Sequence, residues 1–126
     1  MATLPKAKHE VQSYVLADER ELPEDQQTKW RVKSLSKADF VTVQDMVEAG
    51  KKAASCVFAF ARGCLGWENL MSDGAPFLFK GMRYPQDKDR LPRLQPEELD
   101  LIPLRWQEEI GGHVLDQSLL SETEKN

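Results

Sequence analysis

Apolar positions along this chain repeat at different periods, and each period predicts an element. From Phe40 through Val43, Met46 and Val47 the spacing is three and four, the period of a helix with one apolar face. Ser36 precedes that run and can accept a hydrogen bond from the amide three residues on. Asp39, in the first turn, complements the helix dipole. Gly50 then breaks the pattern, at a cost of roughly 1 kcal/mol against Ala if the helix ran on, so a kink or short break is expected. From Lys51 the set Ala53, Ala54, Val57, Phe58, Ala61 and Leu65 resumes helical spacing, and Cys56, Phe60 and Cys64 widen the stripe almost all round. This predicts the central helix of the core, ended by Gly63 and Gly66.

Strand periods flank this helical middle. Residues 11–16 alternate weakly, and residues 28–35 place Trp30 and Val32 on one face, while the acidic stretch 17–27, with Pro23, has no apolar period. Two short strands joined by a long loop are expected. After the central helix come Gly66-Trp67-Glu68-Asn69, Ser72-Asp73-Gly74 and Pro76-Phe77. They predict a β-hairpin with arms 65–70 and 76–79, whose structural anchors are Trp67, Asn69, Gly74 and Phe77. The indole N–H of Trp67 should find a backbone acceptor.

Residues 81–92 predict a polar loop where cleavage or disorder would concentrate. Pro96 opens a helix with Glu97 and Glu98 in its first turn, and Pro103 starts the last helix, 104–117. Gly111-Gly112 inside that helix predicts fraying or dependence on a partner. Residues 1–10 read as a mobile arm and 121–126 as a solvated tail. The fold expected is α+β: a mainly helical single domain over residues 11–120, with a short N-terminal strand pair and a central β-hairpin.

Composition narrows the function. A chain of 126 residues forms one domain that buries roughly two-thirds of its unfolded surface. The net charge is −4, with 30% charged residues of both signs, so there is no basic footprint for nucleic acid. The segment 80–93 is rich in Lys and Arg but also carries Asp87 and Asp89, and reads as a solvated loop. No apolar run approaches the ~20 residues that would span a bilayer. The N-terminus lacks an apolar signal core, so the mature protein is expected to begin where the chain does. Cys56 and Cys64, placed on one helix, would stand ~12 Å apart, beyond disulfide reach. They read as small buried hydrophobes in a reducing, cytoplasmic compartment.

Candidate chemistry is sparse. His9 and His113 offer no close-spaced ligand pair with Cys56 or Cys64, so no metal site is expected. Ser55, Cys56 and Cys64 lack a recognisable base nearby, and Glu68, Asp73 and Glu109 read as solvated carboxylates. No catalytic or cofactor-binding residue is assigned, and a non-enzyme is expected. Trp30 should pack across the strand pair. Trp106 sits beside Arg105, a pairing enriched in interface hot spots, so Arg105, Trp106, Ile110 and Val114 are the candidate partner-binding residues. Core packing is the competing reading of Trp106.

The order of these features resembles the small tail-assembly chaperones of long-tailed bacteriophages. Tyr14-Val15-Leu16, Glu21-Leu22-Pro23 and Gln27-Thr28 are similar to the start of that family. Trp30 through Leu35 matches its basic strand, with Ser36 opening the helix. The block from Gly66 to Phe77 is similar to the family's Gly-Trp-x-Asn element with a following Asp-Gly and Pro-Phe. A Pro-initiated helix, Ser118-Leu119-Leu120-Ser121 and Glu124-Lys125-Asn126 match its end. Two features depart from the pattern: Gly111-Gly112 stands where helix formers are expected, and the 80–93 loop is longer.

The resemblance implies a non-enzymatic, self-associating factor of the host cytoplasm that coats the tape measure protein before tail tube polymerisation and is absent from the mature virion. Glu-Lys-Asn can be encoded as GAA-AAA-AAC, a string on which a ribosome can slip back one nucleotide. Such a slip would make a longer form that engages tail tube protein. The alternative is a phage structural protein of the head–tail connector or minor tail component type.

Overall fold

Local sequence explains where each element of the computed structural model, which describes residues 11–124, begins and stops. Strand β1 (Gln12–Tyr14) pairs antiparallel with β2 (Lys29–Val32). Helix α1 (Lys37–Glu48) opens as its cap predicts: the Ser36 hydroxyl accepts from the Asp39 amide at 3.2 Å. It ends at Gly50, whose φ of +78° suits a residue without a side chain. There the amides of Gly50 and Lys51 bond back to the carbonyls of Val47 and Met46, a full stop rather than a kink.

Helix α2 (Lys52–Gly63) runs without a loop into β3 (Cys64–Glu68). Strand β3 does not form an arm of the hairpin. It pairs antiparallel with β2, so the three-stranded sheet has the order β1-β2-β3, with Trp30 directly opposite Trp67. Gly66 lies inside this strand rather than ending a helix. The hairpin itself is short: β4 (Met71–Ser72) and β5 (Ala75–Pro76), turned by Asp73 and Gly74, both at positive φ. Helix α3 (Pro96–Leu101) and helix α4 (Leu104–Glu124) follow, the break between them falling at Pro103. The molecule is thus a small single α+β domain, with helices packed against one small sheet and a separate two-stranded ribbon.

The core forms where α2, α4 and the sheet meet, around Trp30, Phe60, Ala59, Cys64, Ile110 and Val114. Helix α4 is longer than expected: it extends well past residue 117, and residues 121–124, expected in a tail, continue it. Gly111 is the reason it seats so closely. A Cβ at this position would stand 1.9 Å from the carbonyl oxygen of Cys56, so the α2 and α4 backbones touch there. Gly112 faces open space. Ser118 fixes the other end of the contact, accepting from the Leu35 amide at 2.9 Å and donating to the Val114 carbonyl at 2.7 Å.

Two further expectations need correction. Helix α1 buries Val43, but Val47 remains 48% exposed, because only part of its apolar stripe meets α2. The 80–93 segment is not a free solvated loop. Met82 and Arg93 form a backbone bridge, and ion pairs tie Asp89 to Lys33, just past β2, and Asp87 to Arg62 of α2, which also pairs with Asp39 of α1. The predicted arm, residues 1–10, and residues 125–126 lie outside the described residues.

Candidate functional site

Aromatic packing positions the hairpin, and the hairpin makes one wall of an apolar groove. Trp67 donates its indole N–H to the Phe77 carbonyl at 2.6 Å and stacks on the Phe77 ring at 5.3 Å. On its other side it meets Trp30 at 5.6 Å, and Trp30 meets Phe60 of α2 and Trp106 of α4 edge-on. Trp67 therefore holds the ribbon to the core through Trp30. Asn69, at a positive φ of 64°, donates from its amide to the carbonyls of Asp25 and Gln27 at 2.9 and 3.1 Å. It thus pins the long 17–27 loop to the sheet, with Thr28 returning a bond to the Asn69 carbonyl.

The groove lies between this hairpin and the α3–α4 corner. It is lined by Leu70, Met71, Phe77, Leu101, Ile102 and Trp106, with Ser72 and Pro103 at its margins, and encloses about 240 Å³. A second, shallower depression continues it across Leu70, Met71 and Trp106 toward Glu19, Asp25 and Thr28. Leu101 is 68% exposed and Met71 52% exposed, so the apolar rim is open to solvent.

Of the four residues assigned to a partner surface, only Trp106 lines this groove. Ile110 is fully buried and Val114 is 1% exposed; both pack in the core, on the helix face that meets α2, and are not a free surface. Arg105 is exposed and stands outside the groove lining. The structure adds Met71, Leu101, Ile102 and Pro103. Their signal in the sequence was the run Leu101-Ile102-Pro103: three consecutive apolar residues at a helix break cannot all turn inward. Ile102 does, and Leu101 does not.

A second cluster is structural in character. Lys33, Asp39, Arg62, Asp87, Asp89 and Arg93 surround a polar cavity of about 260 Å³. Arg62 pairs with Asp39 at 3.0 Å and with Asp87, while Arg93 and Lys33 both hold Asp89 at 2.9 Å. The Arg93 guanidinium, aided by Lys33 and the Leu91 amide, keeps the Asp89 carboxyl well below the usual range, against the opposing effect of burial. Lys33, Arg62 and Arg93 thus each have an acid, while Lys88 also lines the cavity. Nearby, the buried Glu98 carboxylate accepts from the amides of Lys80, Gly81 and Gln95 at 2.8 to 3.0 Å, locking the start of α3 to the segment before it.

The Tyr14 hydroxyl donates to Glu109 at 2.6 Å, and burial, with that hydrogen bond and charge, pushes it up to about 12. The His113 ring packs at a tilt against Tyr14, centroids 4.6 Å apart, and burial lowers its pKa. Burial pushes the Cys64 thiol up to about 12, which removes its nucleophilic form at neutral pH; Cys64 opens β3 rather than sharing a helix with Cys56. Among the described residues, no group of three or more His, Cys, Asp or Glu could hold a metal ion, and no helix is long and apolar enough to cross a membrane. Comparison with protein-family models, with curated proteins and with solved structures finds no significant match.

Proposed function

We propose that this protein is a non-enzymatic assembly chaperone of a long-tailed phage, which binds the tape measure protein in the host cytoplasm and leaves before the virion is complete. The observation that carries the reading is the open apolar groove beside Trp106, joined to the order of sequence motifs along the chain. A long partner with apolar stripes would aggregate if left uncovered. Small acidic copies that each cover a short stretch would keep it soluble, and the shallow groove suits contacts weak enough to be displaced by tube subunits. Many such contacts along one partner supply avidity without a strong single site. Self-association, and a longer frameshifted form that engages tail tube protein, belong to the same proposal.

The alternative, a head–tail connector or minor tail component, uses the same groove for permanent assembly. Quantitative mass spectrometry of purified particles separates the two. The chaperone reading expects the protein in infected-cell lysate and at no more than trace levels in particles. A fixed stoichiometric copy number per particle would overturn it.

A further inference from the structure

We infer that the groove beside Trp106 recognises a peptide segment carrying a bulky apolar side chain flanked by lysine or arginine. This deepens the chaperone reading and rests on it for the biological partner, but the groove chemistry argues the ligand class by itself. One half of the surface is apolar, formed by Leu70, Met71, Phe77, Leu101 and Trp106. The continuous other half carries Glu19 and Asp25, and no Lys or Arg lines either half. Both acids have capacity to spare. Glu19 uses one carboxylate oxygen on the Thr28 amide, and among the described residues the Asp25 carboxylate has no hydrogen bond or ion pair, while its backbone carbonyl accepts from Asn69.

Two cations of the adjoining loop and strand are committed elsewhere. Arg20 donates to the Val15 carbonyl and the Tyr14 hydroxyl, and Lys29 pairs with Glu24. The acidic half therefore has no cation among its described lining residues and favours an incoming one. Trp106 lines both halves, and its indole N–H makes no hydrogen bond to another described residue, which leaves a donor for a peptide carbonyl. An apolar anchor seated against Trp106 thus places a neighbouring lysine or arginine over Asp25 and Glu19.

Two short amphipathic peptides test this, each with leucines at helical spacing and either lysines or glutamates at the remaining positions. The full chain is titrated with each by calorimetry and by 15N NMR. The lysine peptide should bind at least about tenfold more tightly than the glutamate peptide, a difference that shrinks as salt is raised. It should also shift the Trp106 indole N–H and the amides of Met71 and Leu101. Leu101→Lys should weaken the lysine peptide about tenfold or more; Asp25→Lys should weaken it and flatten the salt dependence. Both positions are exposed, so neither change touches the core.

Equal binding of the two peptides, no binding of either, or shifts confined to another face would overturn the inference. So would concentration-dependent self-association through the same resonances in the absence of peptide, which would make a second copy the occupant. The particle measurement above is independent of these results. A bound lysine peptide with the protein fixed in virions would sink the chaperone reading alone, whereas equal peptide binding with the protein absent from particles would sink the groove assignment alone.

Discussion

At the scale of single residues, the adjacent pair Gly111 and Gly112 divides two effects that sequence reasoning merged. In the sequence both read as helix breakers, because glycine costs a helix interior about 0.5–1 kcal/mol against alanine. In the fold they differ completely. Gly111 lets the α4 backbone rest on Cys56, where any Cβ would overlap a carbonyl that cannot move without shifting α2. Gly112 faces open space in a helical conformation. Gly111→Ala should therefore destabilise by several kcal/mol, about 3 or more, by prising the two helices apart. Gly112→Ala should stabilise by about 0.5–1 kcal/mol. Denaturant titration of the two variants decides it, and similar losses in both would mean that α4 does not seat at Gly111. Helix propensity is a local quantity and was legible; the crossing point of two helices distant in sequence was not.

Elements were legible where their signals are local. Ser36, Gly50, Pro96 and Pro103 punctuate the helices as their chemistry demands, and Asp73-Gly74 turns a hairpin where expected. What misled was strand partnership. Residues 65–70 carry a strand pattern beside a turn, and the nearest partner in sequence was the far arm of that turn. The cross-strand pairing of Trp30 with Trp67 won instead, because it buries two indoles against Phe60 and Trp106. The 80–93 segment misled for a related reason: its charges look solvated until Lys33, Asp39 and Arg62 arrive from elsewhere. Asp89 makes this element pH-sensitive. Its folded pKa lies below the unfolded value of about 3.9, so its stabilisation is present above that pH and is lost as pH falls through it toward the folded value. Between about pH 4 and pH 2, wild-type stability should fall more steeply than that of Asp89→Asn, while the variant is the less stable at pH 7. Parallel curves in that window would show that Asp89 is not held by Arg93 and Lys33.

For the whole molecule, the fold class was readable and the candidate surface largely was not. Pattern identifies which residues are apolar but not which remain uncovered, so Ile110 and Val114 looked as available as Trp106. The groove arises from three parts far apart in the chain: the Met71 hairpin, the Leu101–Pro103 corner and the acidic 17–27 loop pinned by Asn69. The central claim is that this surface shields an apolar partner during assembly. The direct measurement is the soluble fraction of the proposed partner, a phage tape measure protein, when co-expressed with this chain, with its Leu101→Lys variant, or alone. The account predicts a mostly insoluble tape measure protein alone, a mostly soluble one with the wild-type chain, and a return toward insolubility with the variant despite its normal folding. A tape measure protein equally insoluble in all three, or equally rescued by both chains, would contradict it.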